Sequence, residues 1–233
     1  RDPALVNELI QHGANPNTPP ERDKRFPRRS LYAQAVLVGR TEIAELLARH
    51  GADRSGATLA DEDAFVASCF ALDAERARAM AAEHPENLQS PVALNLAAKH
   101  DRADVAALLL DLGVSPDSKN PGGDTALHTA AYSGADSVVD LLVRRGARID
   151  PVDSVHDATP LWFAMWSQRD RIITRLARYS RDVWALSFTG HVERVREVLQ
   201  SEPRFATMSG ESTPLFWLPE DEKQAVEIVE MFL

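Results

Sequence analysis

Residues 123–150 read GDTALHTAAYSGADSVVDLLVRRGARID, and this stretch decides the fold. Thr125 is an N-cap residue type whose hydroxyl can accept from an orphan amide of the first helical turn. Leu127, Ala130 and Ala131 form a narrow apolar stripe, and the two alanines let neighbouring helices approach closely. Gly134 stands where a chain reversing between two helices needs a positive φ. Val138, Val139, Leu141 and Leu142 make the apolar face of a second helix, and Gly146 ends it. So short a helix pair cannot bury its own faces. Neighbours of the same kind must do so.

The pattern returns on either side. Thr125-Ala126-Leu127-His128 recurs as Thr159-Pro160-Leu161-Trp162 and again as Thr213-Pro214-Leu215-Phe216. The helix ending Leu141-Leu142-Val143-Arg144-Arg145-Gly146-Ala147 matches Leu46-Leu47-Ala48-Arg49-His50-Gly51-Ala52 and Leu109-Leu110-Asp111-Leu112-Gly113-Val114. His12-Gly13-Ala14-Asn15 is the same ending near the start. Two landmarks in phase mark internal repeats.

On these residues the segment 123–150 resembles the ankyrin repeat, with its T-P-L-H-x-A signature and period of about 33 residues. The resemblance implies an all-α fold, a solenoid of stacked helix-turn-helix units with about six complete and two partial repeats. One domain is expected over 1–233, with units at 3–17 (partial), 30–55, 62–87, 91–117, 124–150, 158–181, 182–204 and 211–233 (partial). Ser30 is read as a cap, and Gly39, Asp73, Asp101 and Gly190 as reversal residues. The chain begins and ends inside a unit, which would leave Val226, Ile228, Val229, Met231, Phe232 and Leu233 partly uncovered. A segment of a longer protein is the expectation.

Composition removes other classes. The 26 basic and 35 acidic residues give a net charge of −9, which argues against broad nucleic-acid binding. No run of 18 apolar residues occurs, so no membrane span is expected, and the first residues do not read as a secretory leader. One cysteine, Cys69, excludes a disulfide framework. High Ala and Arg with few Lys is the composition of a GC-rich bacterial gene, and the cytoplasm is the default location, export as an effector being the alternative.

Searches for chemistry return little. No phosphate-binding, dinucleotide, zinc-protease or nucleophile-elbow motif is present. Asn120-Pro121-Gly122-Gly123-Asp124 lacks the lysine of a phosphate loop and reads as a repeat turn. His12, His50 and His84 share one helix-ending position, too far apart to share a metal ion and favourable there to the helix dipole. The family resemblance gives His128 a hydrogen bond to nearby backbone. No catalytic residue, cofactor or metal ligand is therefore expected.

What remains is a binding surface. In the repeat frame, positions like Thr129, Tyr132 and Ser133 face the concave side. Gln34, Leu37 and Val38, then Ser68, Ala71 and Leu72, then Leu96, Lys99 and His100 fall there early in the chain. From the fifth unit on, these sites hold Tyr132, Phe163, Trp166, Phe188 and Trp217, with Trp162 and Trp184 at the signature-histidine position, expected to pack between repeats. Either the rings form a recognition surface or divergent repeats bury them in the stack. Arg169 is a candidate cationic flank, and Arg25, Arg28 and Arg29 form a second one in a Pro-containing insertion. Arg169, Arg171, Arg175, Arg178 and Arg181 read most simply as the solvated face of a helix. The function so implied is a non-enzymatic scaffold binding a protein or peptide, as a monomer. The alternatives are the recruiting arm of a larger enzyme or effector and, lower, a nucleic-acid binder.

Overall fold

The computed structural model describes residues 2–18, 29–54, 61–207 and 213–233. The helices run in order: α1 Pro3–Gln11, α2 Leu31–Leu37, α3 Thr41–Arg49, α4 Asp61–Phe70, α5 Ala74–Glu83, α6 Val92–Lys99 and α7 Ala103–Asp111. They continue with α8 Ala126–Ser133, α9 Asp136–Arg144, α10 Pro160–Trp166, α11 Asp170–Ala177, α12 Val183–Phe188, α13 Val192–Ser201 and α14 Glu222–Phe232. Short 3-10 turns lie at Pro85–Leu88, Pro203–Thr207 and Pro214–Phe216. Among the described residues there is no strand, and no helix is long and apolar enough to cross a membrane.

Local chemistry sets the boundaries. Ser30, Asp73, Asp182 and Asp221 each accept a backbone N–H from the first turn of α2, α5, α12 and α14. The six reversals each hold one residue at positive φ: Gly39, Leu72, Asp101, Gly134, Gln168 and Gly190. The expectation of Asp73 at the second reversal is thus corrected. Leu72 takes the left-handed conformation (φ 58°), and Asp73, one residue on, is the N-cap of α5, bonded to Arg76 N at 3.1 Å. A carboxylate is more useful at the cap than in the turn. Gly123 is held by two constraints, a φ of +83° and the Ser154 Oγ, with which any added Cβ would collide. It lets the turn 120–124 press on the next one, where Ser154 N donates to Gly122 O at 2.9 Å.

Packing builds two layers. α2, α4, α6, α8 and α10 stack in sequence as one layer, and α7, α9 and α11 stack as the other. Both layers are regular from α6 to α11, where the buried alanines Ala97, Ala98, Ala130, Ala131 and Ala164 keep the first helices close. One apolar core runs from Leu37 to Leu199. A separate small cluster of Ala35, Ala44, Leu47 and Ala52, with Val6 and Ile10, joins α1 to α2 and α3. At the far end Ile228 is sealed, while Val226 and Leu233 stay exposed.

The turn tips are stitched in one direction. Asn17 Oδ1 accepts from Asp53 N at 2.6 Å, Asp117 from Arg148 N at 2.9 Å, and Asp150 from Arg181 N at 2.7 Å. Each side chain serves the tip that follows it in the chain. Asp150 also accepts from Ser180 Oγ at 2.6 Å, and its burial pushes its pKa up.

Candidate interaction face

A helical residue turns about 100° from the one before it. With Leu127, Ala130 and Ala131 in the core, Tyr132 is carried outward near the end of α8. Trp166 and Phe188 hold the same place in α10 and α12, two residues before their reversals. All three rings are half-exposed: Tyr132 46%, Trp166 50% and Phe188 45%. Trp217 (42%) and Phe216 (67%) join them from the turn Pro214–Phe216.

The rings touch in series. Tyr132 lies 6.4 Å from Phe163, Phe163 5.2 Å from Trp166, and Trp166 6.4 Å from Trp162, centroid to centroid. Trp162 then meets Phe188 at 6.1 Å and Trp217 at 5.1 Å, and Phe188 meets Trp217 at 6.1 Å. The result is one aromatic band running from α8 to the turn before α14.

Of the five rings expected at the surface, Phe163 is the exception, with 3% exposure. It sits at the place of Thr129, one turn back from Trp166. From there it points between α8 and α10, edge-on to His128 at 4.9 Å. The early repeats also depart from expectation. Leu37, Val38, Ser68 and Leu96 are buried, while Gln34, Ala71 and Leu72 are exposed and Lys99 and His100 half-buried. Because the reversal is Leu72, it is Phe70 that corresponds to Tyr132. That ring is sealed, with the Arg102 guanidinium carbon 5.7 Å from its centroid.

His128 locks two repeats together. The Thr125 N–H donates to its Nδ1 at 3.0 Å, which assigns the proton to Nε2, and Nε2 reaches Ala158 O at 3.1 Å. Burial holds the imidazole pKa below its ordinary value, so the ring is neutral. Beyond Ala158 the turn 153–158 closes on Asp153. Its carboxylate accepts from Ala158 N at 2.9 Å, Val155 N and His156 N at 3.0 Å each, and His156 Nδ1 at 3.0 Å. Burial pushes this acid up, but the four donors outweigh it and the pKa falls below the ordinary 3.8. So held, His156 lies 5.4 Å from Trp166 and borders the band.

A pH prediction follows from Asp153. Its lowered pKa contributes stability that is complete above the unfolded value of about 4 and is lost as pH falls through the folded value. Asp153→Asn should therefore be destabilising at pH 7 and close to neutral at the lowest pH at which both proteins still fold. Denaturant midpoints across the acid range check this, and a gap that widens on acidification would contradict it.

The basic flanks separate. Arg169 is exposed and, among the described residues, makes no ion pair; its guanidinium Nε lies 3.0 Å from where a Cβ on Gly134 would stand. Arg29 is engaged instead, its Nε donating to Asp63 Oδ2 at 3.0 Å with the side chain 10% exposed. Arg25 and Arg28 lie outside the described residues. Arg175 is tied to Asp136 and Asp140, and Arg181 to Glu202. The Cys69 thiol, fully buried, is pushed up to about 12 by that burial and is inert as a nucleophile.

A family model of three ankyrin repeats matches residues 94–187. The chain carries ankyrin repeats. The mouse (Mus musculus) B-cell lymphoma 3 protein homolog is 32% identical over 102 residues, 42% of this chain and 23% of that protein. The chain thus spans about a quarter of the length of this curated relative. The matched ankyrin repeats are those in which both helix layers stack regularly. Ankyrin repeats indicate a protein–protein interaction domain, and the family is typically non-catalytic.

Sequence reading did not foresee Phe216 or His156 in the band, nor that Trp162 would join its rings. By its match to His128, Phe216 should pack inward. The segment instead makes a 3-10 turn ending at Phe216, followed by Pro219, and the ring faces solvent. The available signal was Pro219, which cannot sit inside a continuing helix.

Proposed function

We propose that this chain is a non-enzymatic interaction scaffold that holds a protein or peptide partner against the aromatic band. Tyr132, Trp166, Phe188 and Trp217 are the contact residues carried over from the sequence, Phe216 is added to them, and Arg169 is the cationic flank. One observation supports this above the others: large half-exposed rings, joined through buried Phe163 and half-buried Trp162, line four successive repeats of a chain with only 6% aromatics. Exposed apolar area of this kind is unfavourable in water unless a partner covers it, and Trp and Tyr dominate interface hot spots. A monomeric, cytoplasmic protein belongs to the same reading.

Trp166→Ala tests it. The ring is half in solvent, so the variant should keep its helical circular dichroism and lose little thermal stability. Binding to a partner captured from native cells and then purified should weaken by more than about 2 kcal/mol. Unchanged affinity, or melting of α10 to α13, would assign the ring to the core and overturn the reading.

A further inference from the structure

We infer that Trp166, His156 and Asp157 form a subsite at the edge of the aromatic band that takes an arginine side chain of the partner protein. This rests on the interaction reading above and gives the partner its chemistry.

The imidazole gives the first reason. Asp153 accepts from three backbone amides and from His156 Nδ1, all at 2.9–3.0 Å, so its carboxylate is ionised and can only accept. The proton of the neutral His156 ring therefore sits on Nδ1, and Nε2 is left as an acceptor. The His156 side chain is 55% exposed, and among the described residues nothing bonds its Nε2. The same contact with Asp153 sets the ring plane, edge-on to Trp166 at 5.4 Å and to Phe163 at 6.0 Å. An acceptor of fixed direction thus borders an indole that is half in solvent. A purely apolar partner would cover Nε2 without a hydrogen bond, which is unfavourable. The site selects a donor.

Charge makes that donor a cation. Asp157 is next in the chain, exposed, and among the described residues makes no hydrogen bond or ion pair. Lys119, the cation of the neighbouring tip, is held on Val152 O at 2.8 Å instead. Asp153 and Asp157 give this corner two carboxylates, in a chain whose net charge is −9. Arg169 stands at the opposite end of α10, which it follows, whereas Asp157 precedes that helix. A cation on the partner is drawn to the turn 153–158 and away from Arg169.

Shape separates arginine from lysine. An ammonium is a compact, strongly hydrated point charge, while a guanidinium is planar, weakly hydrated and carries five N–H donors in a fork. The guanidinium can lie on the exposed part of the Trp166 indole and still donate, in its own plane, to Nε2 and to the Asp157 carboxylate. An ammonium cannot do both.

The test pans a random peptide library on the full chain at pH 8 and keeps the peptides whose binding is lost with Trp166→Ala. Arginine should recur among them. One such peptide is then synthesised with arginine, lysine or citrulline at that place and titrated by calorimetry. Citrulline, the uncharged isostere, should bind at least about ten-fold more weakly, and lysine should fall between the two. Asp157→Asn should weaken the arginine form by about ten-fold and leave the citrulline form nearly unchanged. Its melting temperature should not move, because asparagine accepts the left-handed backbone of this position (φ 51°) as aspartate does. His156→Asn keeps a donor for Asp153 near the Nδ1 position and removes the Nε2 acceptor, and should also weaken the arginine form. No recurrence of arginine, citrulline or lysine forms that bind as tightly, or an equal loss for both forms with Asp157→Asn overturns the inference. If peptides or a captured partner depend on Trp166 without these arginine effects, this inference falls and the scaffold reading stands. If neither depends on Trp166, both fall.

Discussion

Replacing Leu142 by alanine should lower the free energy of unfolding by about 2–5 kcal/mol, the range for a buried leucine truncated in a packed core. Leu142 is fully buried in α9, which is packed between α7 and α11. Both neighbouring interfaces therefore feel the cavity. In a solenoid each unit contacts only its neighbours, so the loss should spread from α9 as a gradient. Hydrogen exchange should find α8 and α9 slowest and α1 and α3 fastest, because the small cluster around Ala44 and Leu47 that holds them is separate from the main core. Phe65, Val66 and Cys69 are sealed into the main core. A cost below about 1 kcal/mol would contradict the central place given to α9.

His128→Leu is the second large effect. Leucine fills the space, but the Thr125 N–H and the Ala158 carbonyl lose their partner while still buried. Each unsatisfied group costs about 1–3 kcal/mol, so a total of about 2–6 kcal/mol is expected at pH 7. The pH dependence identifies the cause. Burial depresses the folded pKa of this histidine, so its stabilisation is complete above the unfolded value of about 6.5 and is lost as pH falls through the folded value. The wild type should thus weaken on acidification below that point, and the variant should weaken less. Parallel stability curves for the two proteins would remove the neutral imidazole from the account.

How much of this was legible in advance depended on which forces act locally. The helix pair in 123–150 follows from caps, apolar period and Gly134, all of which act within a few residues. The reversal at Leu72 was missed because a non-glycine residue takes the left-handed conformation there, and only tertiary packing can impose that. Four of the five expected surface rings are exposed: Tyr132, Trp166 and Phe188 because the position two residues before the reversal turns outward in α8, α10 and α12, and Trp217 because it follows a 3-10 turn. Phe163 did not follow, since its direction depends on the gap between α8 and α10, which no local pattern encodes. His156 was invisible for a similar reason: it reaches Trp166 only because Asp153 gathers three backbone amides from a turn with no regular structure.

The tip contacts give the solenoid a grammar of dependence. In the Asn17–Asp53, Asp117–Arg148 and Asp150–Arg181 contacts the side-chain oxygen is upstream and the amide it satisfies downstream. Removing a downstream repeat leaves behind a side-chain oxygen, which water solvates readily. Removing an upstream repeat leaves a bare main-chain N–H at the new boundary, with its side-chain acceptor gone. Repeats can therefore be shed from the C-terminal side with less local damage than from the N-terminal side. During synthesis, the tips at Asp53, Arg148 and Arg181 emerge from the ribosome onto a neighbour already holding the acceptor they need.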